Sequence, residues 1–248
     1  MLRFLLSVFL ISLPFMCVYS QHYALKSVVG ERVEITKELD SKVDYDLISQ
    51  YKPSVDSLMS PVLGKSAVFM YASRPESLLS NWVADVLVNT AVEQGLDVDM
   101  GLCNIGGLRS SMPKGEVTVG DIMSISPFDN MLCLLSIRGR DLLELFRQIA
   151  RLGGEGVSSS LRMVITSDGA LVSAYINGKR IKKNRIYNVV TIDYLAEGND
   201  GMTALKYAVK CVETKHSMRD VLMDYIRRQA ERGVLIDSKI EGRIVVMP

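Results

Sequence analysis

The chain has 248 residues, 29 Lys and Arg against 28 Asp and Glu, with 48% hydrophobic and 23% charged residues. Near-neutral charge gives no general attraction for nucleic acid or an anionic membrane, and the apolar content excludes wholesale disorder. Four cysteines are too few for a disulfide scaffold, and two histidines, His22 and His216, are too few for a histidine-rich metal site.

Met1–Ser20 sets one Arg at position 3 ahead of an apolar run from Phe4 to Val18. That is the layout of a secretory signal peptide cleaved before Gln21, and the run is too short for a membrane span. The expected division is therefore 1–20 signal peptide and 21–248 mature domain, secreted or periplasmic, with no transmembrane span after cleavage. Lipid attachment at Cys17 is the alternative, against which stand the bulky residues Pro14-Phe15-Met16. The mature chain keeps Cys103, Cys133 and Cys211, whose apolar flanks predict buried free thiols.

Val33-Glu34-Ile35-Thr36 alternates as a strand does; a helical stretch around Tyr45–Met59 is interrupted at Pro53, and Ser66–Tyr71 reads as a second strand. Ser73-Arg74-Pro75-Glu76 has capping-box form. Behind it Leu78, Leu79, Trp82, Val83, Val86 and Leu87 mark one buried helix face ending near Gly95. Asp97–Cys103 is a short apolar strand, Gly115–Val119 a turn into another, and Met131–Ile137 a buried strand. Asp141–Leu152 is a helix with Leu142, Leu145, Phe146 and Ile149 inward, stopped by Gly153-Gly154. Ser160–Thr166, Leu171–Ile176 and Ile186–Ile192 read as strands, with a hairpin signal at Asn177-Gly178. A last helix spans Ser217–Arg232, and Ile244–Met247 closes as a strand. The fold class is α+β: a single layered domain with a mixed β-sheet and packed helices.

Asn104-x-Gly106-Gly107-x-Arg109 follows a strand, where backbone can approach a ligand and a guanidinium can meet an anion. Its glycine spacing is neither a dinucleotide fingerprint nor a P-loop. Asn199-Asp200-Gly201 has turn composition, Phe128 after Pro127 is either a platform or packing, and Ser158-Ser159-Ser160 lacks a base partner for a nucleophile.

Taken in order, Arg74/Glu76, Asn81, Asp85, Asn104–Ser110 (NIGGLRS), Ser126-Pro127-Phe128, Ile137–Phe146, Tyr187–Val190 and Asp193–Gly201 resemble the C-terminal domain of secreted 5′-nucleotidases and UDP-sugar hydrolases. The resemblance runs from about Lys65 to Met202. In that family this domain supplies the nucleoside pocket, and a separate two-metal phosphoesterase domain performs hydrolysis. It implies that Phe128 and Tyr194 sandwich the base, with Tyr194 standing where the family commonly has Phe. It also implies that Asp200 accepts from the ribose hydroxyls, Asn104 faces the base edge, Arg109 meets ribose or phosphate, and Arg74 is a further binding arginine. The chain departs from the family at Gly198-Asn199, where two glycines are usual, and at Ser158–Ser160, where a glycine is expected.

No Asp-x-His, Gly-Asn-His-Glu or Gly-His-x-His occurs, and the residues before Lys65 are too few for a catalytic domain. No catalytic or metal-binding residue is therefore assigned and no cofactor is expected in this chain, the divalent metal belonging to a partner phosphoesterase. The expected partners are a nucleotide or nucleoside and a separate metallophosphoesterase, in nucleotide catabolism, and not nucleic acid. One alternative is a secreted binding or scaffold protein with a decayed nucleotide pocket. Another is a hydrolase in its own right, with Asp200 or Glu197 as acid or base.

Overall fold

The computed structural model describes residue 30 and residues 42–247; the predicted signal peptide and the predicted strand at Val33–Thr36 lie outside the described residues. The chain divides into two units at Leu47/Ile48, within the first helix, and every later element belongs to the second. In chain order the elements are α1 (Lys42–Met59), β1 (Val62–Ser66), α2 (Leu78–Glu93), β2 (Met100–Cys103), β3 (Gly115–Thr118), α3 (Val119–Ile125) and β4 (Met131–Arg138). There follow α4 (Gly139–Arg151), β5 (Gly156–Val157), β6 (Leu161–Thr166), β7 (Leu171–Ile176) and β8 (Lys179–Arg180). The last are β9 (Ile186–Ile192), α5 (Asp193–Ala196), β10 (Lys210–Ser217), α6 (Met218–Glu231) and β11 (Ile244–Met247).

All four residues of β2 and the run Val189–Ile192 of β9 are buried, the near-continuous apolar pattern of strands covered on both faces. They lie inside a five-stranded sheet of order β10-β4-β9-β2-β5. Strand β9 runs parallel to β2, with Met100 beside Val189, and antiparallel to β4, with Leu132 opposite Ile192. A second sheet has the order β11-β6-β7-β8, and β1 pairs with β3. Strand β6 buries Leu161, Met163 and Ile165 and leaves the residues between them half-buried, the period of a one-sided sheet. Helix α4 touches β4 and β9 of the first sheet and β7 of the second; its Leu142, Leu145, Phe146 and Ile149 are fully buried, as their spacing predicts. Helix α2 lies on β2 and β5, and α6 packs on α2 and β1. At the β7–β8 turn Asn177 and Gly178 have φ of 49° and 70°, the two positive values that a type I′ hairpin requires.

Several sequence readings need correction. The strand expected at Ser66–Tyr71 lies earlier, at β1: the Ser66 hydroxyl donates to Val68 O at 2.7 Å and bends the chain, leaving Met70 a lone bridge to Met112. Helix α1 passes through Pro53 without interruption. The N-cap of α2 is Ser77, which accepts from Ser80 N at 3.3 Å, not Ser73. Glu76 is diverted to long-range partners, accepting from Asn81 Nδ2 at 2.7 Å and from the N–H groups of Glu241 and Arg243 at 2.9 and 2.8 Å. Helix α3, not anticipated, starts from a capping box between Thr118 and Asp121. Cys103 and Cys133 are buried free thiols, but Cys211 is exposed, because β10 is an edge strand. Burial, followed by the neighbouring Cys211, pushes the Cys133 thiol up to about 12, so it is inert at neutral pH.

Candidate functional site

Chain direction gathers three loops at one edge of the five-stranded sheet. Parallel strands β2 and β9 end there, feeding Asn104 and the short helix α5, while antiparallel β4 begins there, just after Phe128. Ligands of sheets with parallel strands sit beyond such carboxyl ends, where loops diverge. Here the loops enclose a cleft of about 430 Å³ lined by Asn104, Gly106, Gly107, Arg109, Phe128, Asn130, Tyr194 and Asp200. That volume is in the range of small-molecule sites. Five of the six binding residues expected from the sequence thus share one cleft. The sixth, Arg74, does not line it.

Neither aromatic ring is core, since Phe128 is 48% exposed and Tyr194 39%. An exposed Phe is costly to hydrate, and two rings at one cleft mark a surface that a flat apolar group can cover. The Phe128 loop is tied down by Arg219 of α6, which donates to Pro127 O at 3.3 Å and pairs with Asp129. Tyr194 is fixed through its hydroxyl, which donates to Asp200 Oδ1 at 2.9 Å, while Asn104 Nδ2 donates to Asp200 Oδ2 at 2.7 Å. Asp200 itself stands at φ 52°, the left-handed region, between Asn199 and Gly201. Asp enters that region more readily than most side chains, and Asn199, which stands where the family's second glycine is usual, does not have positive φ, so the missing glycine costs the turn little.

Asn104 is 5% exposed, and its Oδ1 has no hydrogen-bond partner among the described residues. A Cβ at Gly107 would lie 2.6 Å from that oxygen, so only glycine leaves the Asn104 amide where it is. Arg109 is exposed, donates to Gly106 O at 3.2 Å and pairs with no carboxylate among the described residues, which leaves a cation at the cleft mouth. Glu197 is exposed but does not line the cleft. Ser158 is a tie between strands, accepting from Gly101 N at 2.8 Å. Asn130 was missed from sequence, although its place two residues after Phe128 was the available signal.

The Tyr194 phenol is raised above the ordinary tyrosine range, first by its hydrogen bond to Asp200 and then by that carboxylate's charge. Asp200→Asn should therefore bring the Tyr194 pKa back down, which an NMR titration of the labelled ring reads. An unmoved value would contradict the hydrogen bond.

Among the described residues no three His, Cys, Asp or Glu side chains come together in a group that could hold a metal ion. The donor set does not fit the two-metal centre of a phosphoesterase, and no step is assigned through one. Among the same residues no helix is long and apolar enough to cross a membrane.

The fold is thus a mixed α/β domain with an aromatic-flanked cleft at its strand ends. Residues 62–207 match the family model described as 5′-nucleotidase, C-terminal domain, and the chain belongs to that family. A cell wall protein of Listeria monocytogenes (Lmo0130) is 31% identical over 186 residues, 68% of this chain and 24% of that protein. A 5′-nucleotidase of Vibrio parahaemolyticus is 26% identical over 144 residues, 56% of this chain and 26% of that protein. The crystal structure of a 5′-nucleotidase precursor from Thermus thermophilus superimposes with TM-score 0.72 at 27% identity, covering 82% of this chain and 43% of that one. The chain thus spans about a quarter of these curated relatives and under half of the solved structure.

Proposed function

We propose that this chain is an extracytoplasmic nucleoside- or nucleotide-recognition domain that works with a separately encoded metallophosphatase in nucleotide catabolism. The observation that carries the reading is the convergence of two exposed rings, Phe128 and Tyr194, with Asp200 and Asn104 on one cleft. A planar base stacks between rings, a ribose diol donates to the carboxylate, and the Arg109 cation meets a phosphate or the sugar. The balance of charge, with no basic surplus, argues against a nucleic-acid ligand. The name of the Listeria relative, a cell wall protein, supports a location outside the cytoplasm.

Both oxygens of Asp200 accept a hydrogen bond, which fixes the carboxylate at the cleft. The purified chain should release no phosphate from AMP with Mg²⁺, Mn²⁺, Zn²⁺ or Co²⁺. Addition of a two-metal phosphoesterase domain that lacks its own C-terminal domain should produce turnover that Phe128→Ala diminishes. Turnover by the chain alone that survives repurification and vanishes in Asp200→Ala would overturn this reading in favour of an enzyme complete in itself.

A further inference from the structure

The turn that floors the cleft is held from behind by a carboxylate shielded from solvent. Glu155 is 1% exposed, and its Oε2 accepts the N–H of Ile105, the residue after Asn104, at 2.5 Å. Its other oxygen pairs with the Arg74 guanidinium, whose Nε donates to Gly154 O at 2.9 Å. Backbone meets backbone here: Gly154 stands at φ 114°, and a Cβ on it would lie 2.4 Å from Pro75 O. Burial pushes the Glu155 carboxyl up; the Ile105 N–H and Arg74 pull it back, and Asp200 across the turn adds to the rise. The buried thiol of Cys103 also feels the Glu155 charge. A polar chain therefore runs from Arg74 through Glu155 and the Ile105 backbone to Asn104, and on through Asp200 to the Tyr194 hydroxyl.

We propose that Arg74 and Glu155 are positioning residues for the nucleoside cleft: the Arg74 guanidinium holds the Glu155 carboxyl group in place, and Glu155 fixes the turn that aims Asn104. The proposal rests on the nucleoside-binding reading of the cleft and gives Arg74 a different task from the ligand contact implied by resemblance. Two of its donors are committed to Gly154 and Glu155, and it stands outside the cleft lining. Glu155 is buried while Arg74 reaches solvent, so the pair adds little net stability, but removing the cation leaves the buried carboxylate without its partner, and the pair is most effective as a fixed geometry. A carboxylate left alone in that site would take up a proton or move toward water, and the Ile105 N–H would lose its acceptor. Glutamine at 155 keeps an acceptor oxygen and needs no cation.

The test compares wild type, Arg74→Ala, Glu155→Gln and the double variant. Two readouts are taken: hydrogen exchange at the Ile105 amide without ligand, and calorimetric affinity for adenosine. In Arg74→Ala, exchange at Ile105 should speed by about tenfold or more and adenosine affinity should fall by about tenfold, the scale of one lost hydrogen bond to a charged group. In the Glu155→Gln background, Arg74→Ala should change neither readout by more than about twofold, the signature of coupled residues in a double-mutant cycle. That second comparison holds even if the single Arg74→Ala variant fails to fold. A tenfold loss of adenosine affinity in the Glu155→Gln background would place Arg74 on the ligand and overturn the proposal. Unchanged Ile105 exchange in a folded Arg74→Ala would overturn it whatever the ligand does. The expected exchange pattern in a wild type that binds no adenosine would support the brace and sink the nucleoside reading instead.

Discussion

Arg243→Ala should lower the stability of the fold by about 3–5 kcal/mol, the cost of removing one partner of a buried charge network. Arg243 is 2% exposed and spends its guanidinium on Asp85 at 3.0 and 2.6 Å, on Glu241 at 3.0 and 2.8 Å, and on the carbonyls of Asn81 and Val157 at 3.3 and 2.8 Å. Its N–H also reaches Glu76 at 2.8 Å, a bond that the substitution leaves in place. These contacts fasten the start of β11 to α2 and β5. Without the side chain, two carbonyls lose a donor and Asp85 keeps a charge that is only partly hydrated. Lysine cannot repair this, because one ammonium cannot span four acceptors. Urea denaturation reads the effect, and a loss below about 1 kcal/mol, the scale of an exposed pair, would mean that the network is solvated in solution.

Phe128→Ala and Tyr194→Ala should each weaken nucleoside binding by about tenfold to a hundredfold, since stacking on one ring contributes roughly 1–3 kcal/mol per base. The same variants should leave the unliganded melting temperature nearly unchanged, because neither ring is buried. Core rings would behave oppositely, costing about 3–5 kcal/mol on truncation. Asp200→Asn keeps the shape and loses the charge-assisted acceptor, so it should weaken ribosides and spare the free base. Melting and calorimetry of the same three variants separate site from scaffold. A large loss of stability with unchanged affinity would remove the cleft assignment.

The sequence exposed those parts of the molecule that obey a local period. Leu142, Leu145, Phe146 and Ile149 fall on one face because a helix repeats every 3.6 residues, and Leu161, Met163 and Ile165 alternate because a strand repeats every two. Asn177-Gly178 showed its turn because few other pairs accept two positive φ values. Edge strand β10 escaped notice because Lys-Cys-Val-Glu-Thr-Lys-His-Ser, open to solvent on most of its length, carries no alternation. Helix α3 is seven residues with a glycine near its start, too short for a periodic signal. The cleft residues were named from the order of motifs rather than from physical pattern: nothing in Asn104, Phe128 or Asp200 alone announces that three loops converge. Glu155 and Arg243 gave no sign at all, since each acquires its meaning from partners far away in sequence, Arg74 and Ile105 for one and Asp85 for the other.

The central claim is that the cleft holds a nucleoside by its base and its ribose together. Calorimetric titration of adenosine into wild type and Asp200→Asn, with free adenine as the second titrant, tests it most directly. Wild type should bind adenosine saturably and the variant about tenfold or more weakly, with adenine bound equally by both, as expected when one charge-assisted contact is lost. No saturable binding of adenosine by wild type, or equal binding of adenosine by both proteins, would contradict it.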